Sequence, residues 1–296
     1  MTKLVEFIPN FSEGRRQEVI DQISEAAQSV PGAKLINVNV EPSYNRCVHT
    51  VVGDPEAVLE AGFRMCQKAV ELIDMNHHKG EHPRIGAVDA SPFIPLEDMT
   101  AKECVDLCNR LGERVAKELQ VPVYLYEKAA KRPERVKLQN IRRPEYEGLL
   151  ELIDKPGWAP DYGEEKMHPS AGAMPLGVRN PMAAFNISLN TSDVAIAKKI
   201  AQSFREAKGG YAEARAIGVY LEDRNICQVS CMINPQIVPL YRIIEMVRSE
   251  AKRYGLSIIG TDICGMVSQS ALMDCCEYSM QLENFDRKAQ ILEELL

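Results

Sequence analysis

The 296-residue chain is short of basic charge, of aromatic residues and of long apolar runs. Its 35 Lys and Arg against 42 Asp and Glu leave a formal charge of −7. That argues against general nucleic-acid binding, which needs a cationic excess, while leaving room for a local basic pocket that holds a small anion. No apolar run approaches the roughly 18–20 residues of a membrane span. Residues 1–6 show no basic segment leading into an apolar one, so no signal peptide is expected. The nine cysteines include no C-x-x-C pair. An odd count in a chain of this length reads as core thiols in a reducing compartment, not as a disulfide framework. Cys104 and Cys108 fall at helical spacing, and Cys227 and Cys231 alternate as in a strand. The expected location is the cytoplasm.

What is present is an ordinary globular composition, 45% hydrophobic and 26% charged, in a chain long enough for two domains. Residues 4–9 read as a strand. Residues 15–30 carry Val19, Ile20, Ile23, Ala27 and Val30 at helical spacing. Residues 33–40 and 46–52 read as strands, Asp54-Pro55 opens a helix that runs to about residue 73, and residues 85–94 form another strand. Thr100-x-x-Glu103 is a capping box for a further helix, and residues 121–126 are again strand-like. Periodicity then fades until about residue 181. Residues 184–263 repeat the opening order of β-α-β-β-α-β. That order is the ferredoxin-like signature. The expected fold is α/β (α+β): two ferredoxin-like βαββαβ sandwich subdomains, residues 1–181 and 182–296, packed to form a cleft.

The densest chemistry lies in residues 74–87, where His77, His78 and His82 bring three of the five histidines within six residues. Gly80 and Pro83 break any continuous helix there, so the helical H-E-x-x-H zinc geometry is not expected, and no metal is assigned. A polar surface loop is one reading. Acid/base catalysis by a histidine titrating near neutral pH is the other. A second polar cluster, Ser43-Tyr44-Asn45-Arg46, offers an arginine fork suited to a carboxylate, or an ordinary turn. In Pro9-Asn10-Phe11-Ser12-Glu13-Gly14, Ser12 reads as a helix cap or as part of an anion site. Residues 128–143 hold seven basic residues and no aromatic. They read as a solvated face or as a contact for an acidic ligand tail.

These segments together resemble glutamate formimidoyltransferases, the transferase half of formimidoyltransferase-cyclodeaminase. The resemblance rests on Pro9 to Gly14, Ser43-x-Asn45-Arg46, His78-Lys79-Gly80-Glu81-His82-Pro83-Arg84-x-Gly86-Ala87-x-Asp89, Pro92-Phe93-Ile94-Pro95, Val121-Pro122-Val123-Tyr124-Leu125-Tyr126, Trp158-Ala159-Pro160-Asp161-Tyr162-Gly163 and Ala184-Phe185-Asn186-Ile187. It spans essentially the whole chain and implies the stand-alone form. It implies formimino transfer from N-formimino-L-glutamate to N5 of tetrahydrofolate, in histidine degradation, by a homodimer without metal. It places the acid/base at His82. It places folate contacts along Gly163, Glu164, Glu165, Lys166, Met167, His168, Pro169, Ser170, Ala171 and Gly172. Asn10, Arg46 and Arg84 are candidates for donor binding. A polyglutamate tail on the folate would be the acidic group met by the basic run.

One departure stands out. Relatives often carry aspartate in the strand before Ser43, where this chain reads Asn37-Val38-Asn39. Alternatives therefore remain: formiminoglycine or a formyl compound as donor, a folate-binding relative without turnover, or a ferredoxin-like interaction protein.

Overall fold

The computed structural model describes residues 3–295. The chain divides into two compact units, one ending at Asn180 and the other starting at Pro181.

The first unit is built on β1 (Val5–Phe7), β2 (Asn10–Phe11), α1 (Gln17–Gln28), β3 (Ala33–Glu41), β4 (Arg46–Gly53), α2 (Pro55–Leu72) and β5 (Val88–Pro95). α1 turns Val19, Ile20, Ile23 and Ala27 into the core, each large side chain contributing about 1.5–3 kcal/mol by leaving water. Ser12 does not cap it. Its hydroxyl donates to the carbonyl of Gly86, and the Glu13 carboxylate instead accepts from the amides of Arg15 and Arg16. α2 starts as the Asp54-Pro55 pair predicts, with Asp54 accepting from the amides of Glu56 and Ala57.

β1 and β2 are two pieces of one interrupted strand, both lying between β4 and β5, and β3 lies outside β4. That arrangement is the ferredoxin-like order. The sheet then goes further than the sequence pattern suggests. α3 (Ala101–Glu118), opened by the Thr100–Glu103 capping box, leads to β6 (Val123–Glu127), and β7 (Met174–Val178) inserts between β5 and β6, parallel to both. The result is a seven-stranded sheet. Two short helices, α4 (Leu138–Arg142) and α5 (Glu145–Leu152), occupy the stretch of faded periodicity.

The second unit carries β8 (Ala183–Leu189), α6 (Val194–Phe204), β9 (Ala214–Leu221), β10 (Ile226–Ile233), α7 (Leu240–Lys252) and β11 (Ile258–Cys264). Its four-stranded antiparallel sheet has the order β11-β8-β10-β9, the complete ferredoxin-like pattern. α6 buries Ala197, Ile200, Ala201 and Phe204, and α7 buries Leu240, Ile243, Val247 and Ala251. α8 (Gln269–Met280) follows β11 and has no counterpart in the sequence reading. Cys104, Cys108, Cys227 and Cys231 are buried free thiols. Among the described residues no helix is long and apolar enough to cross a membrane.

Candidate active site

Strand register puts the polar residues of the first unit on one face. Asn39, Val48, Asn10 and Ala90 oppose one another across β3, β4, β2 and β5. Directly opposed residues share a face, and so do residues two apart along a strand. Arg46 therefore joins Asn10 and Asn39. Asp89 reaches the same place by irregularity. Asn10 pairs with Ala90 but Phe11 pairs with Val88, so one extra residue is accommodated at Asp89. A bulge of this kind re-aims a side chain.

The Asp89 side chain is fully buried and ion-paired to Arg46. Arg142 Nη2 lies 3.0 Å from its Oδ2, and the amide of Ile85 donates to its Oδ1 at 3.0 Å. Arg142 belongs to the basic run whose composition suggests a solvated face or a contact for an acidic ligand tail. It is instead largely buried on this carboxylate, because α4 turns it inward. Arg46 Nη2 donates to Asn10 Oδ1 at 2.8 Å, and Asn10 Nδ2 donates to the carbonyls of Ile8 and Ala90. The amide of Asn10 is thus engaged at both ends.

His82 lies beside this cluster. Its Nδ1 is 2.7 Å from the carbonyl of Pro83. A carbonyl only accepts, so Nδ1 carries the proton of the neutral ring. Nε2 is then the basic nitrogen, with no protein partner among the described residues. Arg46 Nη1 stands 3.4 Å from Nδ1. Two N–H groups face each other there, so the contact acts through charge and not as a hydrogen bond. Partial burial, then the charges of Arg46 and Arg142, hold the His82 pKa below its ordinary value, while Asp89 pushes the other way. On balance the surroundings favour the neutral ring. The Tyr44 ring lies 5.7 Å away, tilted against it.

The other two histidines of the motif do different work. His78 is buried, donates from Nε2 to the carbonyl of Asn45 and accepts from Arg84 Nε at its Nδ1. His77 is exposed and pairs with Asp74 at 2.8 Å. Arg84 does not join Arg46. Its guanidinium is held by Glu147 at 2.7 Å and Glu145 at 3.2 Å, both on α5. Among the described residues no group of three or more His, Cys, Asp or Glu is placed to hold a metal ion.

Residues 163–172 are laced to both sides of the histidine motif. The amide of Met75 donates to the carbonyl of Ser170, Asn76 Nδ2 to that of Pro169, and the amide of Ala87 to that of Ala171. The segment closes on itself through paired bonds between His168 and Gly172, with His168 Nδ1 accepting from the amides of Ser170 and Ala171. Glu164, Glu165 and Lys166 are exposed, and Met167 is buried. A cavity of about 130 Å³ is lined by Glu164, Lys166, Met167, His168 and Pro169 with Ala116 and Gln120 of α3 and its end. A larger one, about 650 Å³, is lined by Tyr124, Arg135, Arg143 and Trp158 among others. His82 lines neither, so size alone does not locate the chemistry.

Residues 4–179 match the N-terminal subdomain of the formiminotransferase domain, and residues 184–294 match the formiminotransferase domain that follows it. The chain belongs to the formiminotransferase family. The glutamate formimidoyltransferase of Streptococcus pyogenes serotype M1 is 47% identical over 294 residues, covering 99% of this chain and 98% of that protein. That of Thermoplasma acidophilum is 43% identical, covering 98% and 96%. The formimidoyltransferase-cyclodeaminase of Mus musculus is 42% identical over 99% of this chain, which spans 55% of that protein.

Two residues of this candidate site are not singled out by the sequence pattern. Asp89 and Arg142 lie 43 and 53 residues from their partners, Arg46 and Asp89 respectively. Asp89 stood in the family motif without a role. Arg142 stood in a run whose composition points outward.

Proposed function

We propose that the chain transfers the formimino group of N-formimino-L-glutamate to N5 of tetrahydrofolate, giving 5-formiminotetrahydrofolate and glutamate, with His82 as the acid/base. The observation that carries this reading is the His82 ring itself: Nδ1 is committed to the Pro83 carbonyl and Nε2 is left as a base. N5 attacks the amidine carbon, and Nε2 takes the N5 proton. The tetrahedral intermediate collapses as the same nitrogen returns a proton to the departing amine of glutamate. One group doing both transfers contributes roughly 10²–10⁴-fold. Alignment of the two bound reactants supplies much of the remainder.

Residues 163–172 are proposed to contact tetrahydrofolate, since they are tied to the strand and loop that carry His82. The enzyme is proposed to be a cytoplasmic homodimer of two subdomains, 1–181 and 182–296, acting in histidine degradation without a metal. A polyglutamate tail would be met by exposed members of the basic run such as Lys137, not by the engaged Arg142. Asn10, Arg46 and Arg84, the candidates for donor binding, each also hold a protein partner.

Asn39 favours a second reading in one respect. It is exposed on β3, in the row that contains Asn10, and it cannot balance a cationic donor. The test is a set of initial rates with tetrahydrofolate and, in turn, formiminoglutamate, formiminoglycine and N-formylglutamate. A kcat/KM highest for formiminoglutamate supports the first reading. Preference for another donor replaces it.

A further inference from the structure

The clamp around Arg46 has more parts than an ordinary ion pair needs. Asp89 draws donors from three elements: Arg46 on β4, Arg142 on α4 and the Ile85 amide just before β5. Ile85 follows His82 by three residues, so the same carboxylate fixes the backbone next to the ring. The other end of the Arg46 guanidinium rests on Asn10 Oδ1, and Asn10 is pinned through Nδ2 to Ile8 and Ala90. A buried carboxylate is costly unless its oxygens are satisfied, and here they are. Two guanidinium groups against one carboxylate leave a net positive charge beside His82.

We propose that Asp89 and Asn10 are positioning residues: they clamp Arg46 against His82, and the clamped cation keeps the imidazole unprotonated, with Nε2 as its free basic nitrogen. This rests on His82 being the acid/base. The charged groups facing the ring are Arg46, Arg142 and Asp89, and the Tyr44 ring lies tilted against it. A general base starts from the neutral imidazole, and the nearby cation favours that form. Arg46 thereby acts on the ring and not as a carboxylate fork for the donor.

The experiment follows the carbon-bound ring proton of His82 by NMR in the ligand-free protein, assigned by its loss in His82→Ala. In Arg46→Met the titration midpoint moves to higher pH by about one pH unit. In Arg46→Lys, which keeps the charge, it stays closer to the unsubstituted protein than to Arg46→Met. A midpoint in Arg46→Met at or below that of the unsubstituted protein overturns the proposal. A second arm uses turnover. Asp89→Asn and Arg46→Met each lower kcat by roughly ten-fold or more, and the double variant falls no further than the worse single one, because both act through one cation. Multiplied losses would overturn the clamp. The titration needs neither donor nor folate, so a wrong donor assignment leaves it readable. If Asp89→Asn fails to fold, Asn10→Ala takes its place, and a His82 midpoint and kcat both unchanged in Asn10→Ala overturn the clamp.

Discussion

Gly80 packs directly on the carbonyl of Tyr44: a β-carbon at Gly80 would stand 2.1 Å from that oxygen. The oxygen is backbone and a β-carbon is held rigidly on its own backbone, so neither can swing away. The contact sets the histidine loop against the turn that delivers Arg46. Gly80→Ala should therefore cost about 1–3 kcal/mol of stability and lower kcat more than it raises KM, because it displaces His82 from its cation. Thermal unfolding and steady-state kinetics on the same preparation check this. Unchanged kcat would show that the loop position does not matter to the chemistry.

Arg84 invites a different substitution. Its partner Glu147 is two-thirds exposed, with side-chain exposure of 66%. Ion pairs that open to solvent contribute about 0–1 kcal/mol. Glu147→Gln should lower stability by no more than that. Arg84→Lys should leave KM for the donor within about two-fold. A ten-fold rise in donor KM would restore Arg84 as a carboxylate-binding residue.

His49 gives the fold a pH dependence of its own. It is buried on β4, with Nε2 2.9 Å from Ser24 Oγ. The Ser24 hydroxyl already donates to the carbonyl of Ile20, so it accepts from His49 Nε2–H, and Nδ1 is left buried without a partner. Burial pushes the His49 pKa down to about 4. The unfolded chain protonates this residue near its ordinary value of about 6.5, before the folded one does. Its contribution is thus fully present above about pH 6.5 and declines as pH falls toward about 4, by up to about 1.4 kcal/mol per pH unit. Denaturant unfolding across that range should show a shallower slope for His49→Gln than for the unsubstituted protein. Equal slopes would refute the assignment.

The ferredoxin-like core was legible because its elements carry local signals. The helices have one apolar stripe each, Asp54-Pro55 and the Thr100–Glu103 box mark two starts, and the second unit repeats the pattern in full. β7 was not legible. All five of its residues are buried, so no alternation betrays a strand, as is usual for a parallel strand within a sheet. The strand expected over residues 85–94 begins only at Val88, and residues 85–87 bond to the segment at 171–173. His82 was legible as a residue type in a dense motif. Its tautomer was not, because that depends on one carbonyl contact. Asp89 and Arg142 were hidden for a related reason. Their meaning lies in a bulge and in a helix that turns inward, and neither leaves a mark at the level of composition.

The most direct test of the account is turnover by the His82→Ala variant. Purified protein is mixed with tetrahydrofolate and formiminoglutamate, the product is converted by acid to its methenyl form, and absorbance is read alongside tetrahydrofolate binding by calorimetry. The account predicts a loss of kcat of roughly 10²–10⁴-fold with tetrahydrofolate affinity largely kept. Turnover near that of the unsubstituted protein would contradict it.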